Sequence, residues 1–528
     1  MKLKLIITAI ICCLTLNNLY SQISENISLF GQLDPEPIRY SGSFGYIDSL
    51  GNEYALLGAH DHLFVISIDD STNIHVLDSV AGPGSNWREI AVIGETAFVV
   101  TEGSGTGEGM QIIDLSYLPD SVHLITTFDS TFTRGHMVQK NYAVDSSYIY
   151  VSGTTPDQGV HIIDISDPAN PVEISRYEPY YIHDIHVKGN TMYASAIYEG
   201  TLDVVDITDR TNPVLLEQIS YPSAFTHSAF TTEDDTHLFV ADETDGLPAR
   251  IWNIEDINNI TEVSQYSGNL LSLVHNPYIK GDFAFISHNT EGLRVVDISK
   301  PDVPVEVGYY DTFSGASGGF HGLWSAFPFF PSDKIIGGNR EDGLYIWKFN
   351  NTYAGRFYGL VVDSLTGVPL IGTDLSIQGT GTTTQSDITG NFKFGELPSG
   401  AGGYTIEANA TGYAPKNINN LVLNSNDSIY VLIELNAFVG IEDIDTKASP
   451  TLSFSQLQNK IILDLSNQDL NDYQLELFSP DGKLCYQQVE LTNKIHYLEV
   501  DNLNKGVYLY RITSPSNSVY FSNKLIVK

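Results

Sequence analysis

A chain of 528 residues is too long for one ordinary domain, and 42% hydrophobic residues with 11% aromatics supply packed cores, which excludes wholesale disorder. Its 64 acidic against 27 basic side chains leave a formal charge of −37, a field that repels phosphate backbones and excludes nucleic acid as an expected partner. Cations and neutral polymers such as glycans suit that surface, although an acidic coat that only keeps the chain soluble has the same composition.

The N-terminus comes first. Lys2 and Lys4 precede an apolar run from Leu5 to Leu16, followed by Asn17, Asn18 and the small Ser21. About a dozen apolar residues are too few to span a bilayer and suit a cleaved export signal over residues 1–21. Cys12 and Cys13 lie inside that run behind bulky neighbours, which does not suit lipidation. Cleavage would leave Cys485 alone, so no intramolecular disulfide is expected. Its apolar strand context predicts a buried small side chain. No later segment reads as a transmembrane helix.

One motif then recurs: Gly-x-x-apolar-apolar-Asp-apolar-Ser, a turn, and Pro-Val. Clear copies end at Ile174, Leu216 and Val307, and weaker ones start at Leu63, Gly109, Arg250 and Gly343. The phase of the aspartate falls on Ser67, Asp114, Asp164, Asp206, Asn253, Asp297 and Lys348. Steps of about 40 to 50 residues, rich in β-branched side chains, describe four-stranded propeller blades. Seven copies predict a seven-bladed β-propeller over 35–350. In one blade the expected strands are His183–Gly189, Thr191–Ile197, Leu202–Ile207 and Pro213–Ile219, with Gly189-Asn190 as hairpin turn. The repeated aspartate reads as a turn-builder.

These copies, with the stretches NWREIAVIGETAFVV, YIHDIHVKGNTMYAS and GLRVVDIS, resemble the LVIVD repeat. The whole propeller region resembles that of choice-of-anchor B family proteins. That resemblance implies a secreted propeller with interchangeable C-terminal anchors, and no particular activity.

Two small β-sandwich domains are expected downstream. Residues 353–437 carry short alternating strands with frequent glycine turns. Their sequence of Val-Asp-x-x-Thr-Gly-x-Pro-Leu, Asp-x-x-Gly-x-Phe, Leu-Pro-x-Gly and Gly-Tyr resembles carboxypeptidase regulatory-like domains, which implies a spacer or weak binding unit. A polar linker over 438–450 leads to residues 451–528, where Pro480–Gly482 turns a hairpin and Leu503–Gly506 precedes Val-Tyr-Leu. That region resembles the type A C-terminal sorting domain of the type 9 secretion system. The resemblance implies that this machinery is a partner, and that the protein is secreted or held on the outer-membrane surface of a gram-negative bacterium.

The histidines carry the one chemical signal. His183 and His275 each stand six residues before a hairpin glycine, His227 six before Glu233 and Arg88 six before Gly94, while His136 and His321 open two further blades. The chain has 14 histidines, and five of them fall in this one phase. Innermost propeller strands begin at one face, so these six side chains are expected to converge on a channel mouth. The second-to-third-strand loops open there too, and their acids Glu108, Asp157, Glu199, Asp245, Glu291 and Asp342 are expected around the ring. Imidazoles backed by carboxylates suit one divalent metal, with His136, His183, His227 and His275 as ligands. The same positions also suit structural struts that hydrogen-bond neighbouring blades. His60, His62, His186 and His288 are expected to be surface or packing residues.

No P-loop, dinucleotide fingerprint, Gly-x-Ser-x-Gly elbow or HEXXH is present. The sequence therefore supports a binding or scaffold propeller that takes a protein or glycan outside the cell at the histidine-lined mouth. The alternative is a metal-dependent extracellular enzyme on a polymer. It resembles propeller polysaccharide lyases in its histidine metal site, with Arg88 on the substrate charge. No general base is assignable for it.

Overall fold

Alternation with a period of two is what allows a sheet to be packed on both faces, and it runs through every strand here. In the sheet built from Arg88–Ile93, Thr96–Thr101, Met110–Asp114 and His123–Phe128, neighbouring residues go to opposite cores. Ile90, Val92, Ala97, Val99 and Ile113 join the core of the preceding sheet. Ala91, Phe98, Val100, Met110 and Ile112 join that of the following one.

The computed structural model describes residues 24–144, 146–398, 403–438, 451–455, 460–464, 473–480, 482–491, 495–499, 503–513 and 519–527. The expected signal segment 1–21 and nearly all of the linker at 438–450 lie outside them. The described residues are all-β, with no α-helix and hence none long and apolar enough to cross a membrane. Two units are separated, Met1–Tyr353 and Ala354–Lys528.

In the first unit the strands form five four-stranded sheets, one five-stranded and one three-stranded sheet, consistent with propeller blades. The strands Asp184–Lys188, Thr191–Ala196, Thr201–Asp206 and Val214–Ser220 match the expected blade to within about a residue at each end. Gly189 takes the positive φ of 63° that its hairpin turn requires. Asn141 of the preceding sheet clasps that turn, donating to the Gly189 carbonyl at 2.8 Å and accepting from its N–H at 2.9 Å.

The turn-building aspartates do what their spacing predicts. Asp114, Asp164, Asp206 and Asp297 each end a third strand and accept the backbone N–H two residues on, at 2.8–2.9 Å. Asn253 does the same at 3.1 Å.

Successive first strands pack side by side: Tyr40–Ile47, Arg88–Ile93, Met137–Gln139, Asp184–Lys188, Thr226–Thr231 and Asn276–Lys280. The last of these is tied to the Trp324 carbonyl by the Asn276 amide at 3.2 Å. Ser325 returns to the first strand through Ser43 at 2.8 Å. Closure is reinforced by the N-terminal segment. Ile27–Leu33 pairs antiparallel with Gly343–Phe349, and Ser24–Glu25 with Val305–Tyr310. The repeat region therefore starts before residue 35. Residues 24–33 carry no hairpin or aspartate signal because they supply only outer strands to sheets whose turns lie elsewhere.

In the second unit, two sheets share one core. Gly355–Asp363, Asn391–Glu396 and Ser428–Leu435 supply Phe357, Phe392, Phe394 and Ile433. Asp374–Ile377, Thr383–Gln385, Tyr404–Asn409 and Lys416–Leu421 supply Leu375, Ile377 and Ile406. Two further sheets lie between Thr451 and Val527, with Ile461, Leu475, Leu498 and Tyr510 in their core. Cys485 is exposed, contrary to the expectation of burial, because it sits near the start of Leu484–Leu491, which pairs only with Tyr473–Phe478 at the sheet edge.

A buried ion pair links the first sheet of the first unit to its last sheet. Lys334 Nζ lies 2.9 Å from Glu53 Oε2, both side chains are buried, and Glu53 also accepts from the Ser332 hydroxyl at 2.6 Å. Removing one partner strands the other charge out of water. Lys334→Met is expected to lower stability by about 3–5 kcal/mol. The double variant Glu53→Gln/Lys334→Met is expected to recover most of that loss, as measured by calorimetric melting.

Candidate functional site

Antiparallel pairing places the start of each first strand opposite the end of the second. His136, His183 and His275 use that register identically, their backbone N–H groups donating to Ser152, Ser195 and Ser287 at 3.0, 2.8 and 3.2 Å. His227 lies at the same level, one residue into Thr226–Thr231. Four successive sheets thus stack their imidazoles, with ring centroids 4.1 Å apart for His136–His183, 4.7 Å for His183–His227 and 4.4 Å for His227–His275. All four are buried.

The expected fifth and sixth members are elsewhere. Arg88 is fully buried and acts as a strut: Nε donates to the Ala59 carbonyl at 2.9 Å and Nη2 to that of Pro83 at 2.7 Å. Those bonds hold the guanidinium on the backbone of the first sheet, away from the imidazoles. His321 is half-exposed, bonded through Nδ1 to Glu341 at 2.8 Å and stacked on Phe313 at 5.3 Å. Trp324, three residues on, takes the place expected of it, 4.4 Å from the His275 ring. A loop with glycines at 315, 318, 319 and 322 precedes this segment, and its length displaced the alignment.

The expected ring of loop acids is also differently used. Asp157 pairs with Arg176, Glu291 with Arg294 at 3.4 Å, and Glu108 caps the Gly105 N–H at 2.9 Å. Asp342 accepts from Tyr345 at 3.4 Å, Asp245 from the Gly319 N–H at 3.4 Å, and Glu199 is exposed. The carboxylates that do meet imidazoles are Glu102 and Glu243, each the first residue after a second strand. Glu102 accepts from His136 Nδ1 at 2.7 Å. Burial alone would lower the His136 pKa, but that bond and the neighbouring acids raise it. Glu243 spans three sheets: its oxygens lie 3.8 Å from His183 Nε2, 3.7 Å from His227 Nε2 and 3.7 Å from His275 Nε2. Burial would raise its pKa, yet His227 and His275 hold it down to about 2.

Those three Nε2 atoms are buried without hydrogen-bond partners. His275 Nδ1 lies 3.2 Å from the Trp324 carbonyl and 3.1 Å from Asn276 Nδ2, which shares that carbonyl, and its Nε2 faces the Glu243 carboxylate. His183 Nδ1 meets the Tyr181 hydroxyl at 3.2 Å, and His227 has neither nitrogen bonded. Burial, with the neighbouring imidazoles, pushes His183 well below its ordinary pKa and His227 down to about 3, so both are neutral at pH 7. Two sets of ligand atoms come within 4.8 Å of one another, His136/His183/His227 and His227/Glu243/His275.

Beside these imidazoles lie two more buried acids that the sequence reading did not single out. Glu89 accepts from Trp324 Nε1 at 2.8 Å, and burial pushes its pKa up to about 7. Asp184 is likewise pushed up to about 7 by burial. Of the remaining histidines, His186 packs against Phe230 at 4.1 Å and Tyr142 at 5.3 Å, and His288 is buried, both as expected of packing residues.

Three family models match this chain. The LVIVD repeat matches residues 140–178, 181–220 and 276–312. The carboxypeptidase regulatory-like domain matches 356–436, and the secretion system C-terminal sorting domain matches 457–528. No curated protein matches the chain. The sorting domain indicates secretion through the type 9 machinery to the cell surface or the medium. Of the four stacked histidines, His183 falls within a matched repeat segment.

Glu89 generates a pH prediction. A free glutamate titrates near 4.3 and this one near 7, so the folded state holds the proton more tightly. Its stabilising contribution is complete below about pH 4 and is lost as pH rises through 7. Glu89→Gln, which still accepts from Trp324, is expected to melt like the parent at about pH 4. At pH 8 it is expected to exceed the parent by up to roughly 3 kcal/mol.

Proposed function

We propose that the protein is a secreted or surface-displayed binding protein whose channel mouth holds one divalent transition-metal ion. In this reading the sheets of residues 24–350 are the seven blades of one β-propeller. A carboxypeptidase regulatory-like β-sandwich (353–437), a linker (438–450) and a sorting domain of sandwich type (451–528) follow, and residues 1–21 are a signal peptide. The wider resemblance to choice-of-anchor B proteins fits this arrangement.

The observation that carries the metal is the contact between Glu243 and three unpartnered imidazole nitrogens at 3.7–3.8 Å. That spacing is too long for hydrogen bonds. Ligand atoms about 2.1 Å from a zinc-sized ion in tetrahedral array lie roughly 3.4 Å apart, close to the distances of Glu243 from the three imidazoles. Leaving acceptors face to face in a buried site is costly, and a cation between them removes that cost. His183, His227, His275 and Glu243 are the ligands, with His136 beside them, its Nδ1 taken by Glu102 and its Nε2 free. The imidazoles His183 and His227 are neutral and Glu243 ionised at pH 7, so they need not expel protons to bind. The net charge of −37 favours cations throughout. The enzymatic reading has less support from Arg88, which is fully buried with Nε and Nη2 held by backbone carbonyls.

The test is metal content. The secreted chain, dialysed without chelator, is expected to carry about one equivalent of metal by mass spectrometry. His183→Ala/His275→Ala is expected to lose it while remaining folded. Glu102→Gln, which touches only the Nδ1 side of His136, is expected to weaken affinity roughly 10- to 100-fold at most. A parent free of metal after exposure to zinc, nickel and copper would return the histidines to the role of struts.

A further inference from the structure

The position that carries Glu102 and Glu243, first after a second strand, is occupied in the last sheet of the first unit by Arg340, which follows Lys334–Asn339. Arg340 is 4% exposed, and its Nε and Nη1 are buried without hydrogen-bond partners. Its guanidinium carbon lies 4.8 Å from the Trp324 ring and 5.7 Å from that of Trp87. Trp324 in turn lies against His275, so the cation continues the arc of imidazoles. Glu341 acts on it through charge but forms no ion pair with it among the described residues. Glu341 is committed to His321 at 2.8 Å, to the Gly322 N–H at 2.9 Å and to Arg39 at 3.4 Å. Arg39 is a second positive charge close by.

A guanidinium cannot shed its proton, and burying one without an anion is costly. Its fork of parallel N–H groups matches a carboxylate or phosphate bidentately. We propose that Arg340 is the anion-recognising residue of the channel mouth and that it takes the carboxylate of a sugar acid. Trp87, half-buried, and Phe320, 43% exposed and 6.4 Å from Trp324, supply apolar faces for a ring. A monoanionic carboxylate also suits a chain of charge −37 better than a phosphate dianion does. This inference rests on the mouth being a ligand site, and it does not require the metal.

Two of the four tryptophans flank Arg340, so intrinsic fluorescence reports on it. The secreted chain is titrated with D-glucuronate, with D-glucose and with inorganic phosphate, before and after chelator treatment. Glucuronate is expected to give a saturable change and glucose none. Arg340→Gln is expected to raise the glucuronate Kd at least about tenfold with metal content unchanged and the fold retained. Arg340→Lys, which keeps the charge and loses the fork, is expected to fall between them. Equal binding by Arg340→Gln, no saturation in the parent, or displacement of glucuronate by less phosphate than glucuronate would each overturn the assignment. Glucuronate binding that depends on Arg340 in a metal-free chain would support it while removing the metal from the account.

Discussion

Antiparallel pairing brings the first residue of an inner strand next to the residue that follows its partner. Where sheets succeed one another with their first strands side by side, that pairing is repeated at one level of the structure. Side chains at these two positions can then face their counterparts from neighbouring sheets. The stack of His136, His183, His227 and His275 and the reach of Glu243 across three sheets both follow from this register. So does the placement of Arg340 beside Trp324.

The same constraint separates structural from chemical roles. Where a polar side chain meets backbone carbonyls, as Arg88 does through Nε and Nη2, it ties the start of its strand to the preceding sheet. Where it meets only its counterparts, its hydrogen-bonding capacity stays unspent in a dry site. Buried polar groups are normally satisfied, and atoms of His183, His227, His275 and Arg340 are among those left without hydrogen-bond partners. The acids Glu89 and Asp184 answer burial differently, by holding their protons near neutral pH.

Much of this was legible in the residues alone. Period-two alternation and the Asp-x-Ser turns gave the strands, and the shared phase of four histidines gave the stack. The limits were those of register. His321 was assigned by its order in the chain, but a glycine-rich loop moved Trp324 into the position instead. The carboxylate partners were sought before the loop glycines, whereas Glu102 and Glu243 stand at the strand ends, as Thr101-Glu102 and Asp242-Glu243 show. Residues 24–33 carried no repeat signal because an outer strand needs neither the hairpin nor the aspartate. The exposure of Cys485 depends on a strand edge, which local hydrophobicity does not reveal.

The most direct test of the central claim is anomalous diffraction from crystals of the secreted chain grown with zinc, collected on either side of the metal edge. The account predicts one strong peak enclosed by the Nε2 atoms of His183, His227 and His275 and the Glu243 carboxylate. Anomalous density absent from that point, with water or direct hydrogen bonds joining the imidazoles to Glu243, would contradict it.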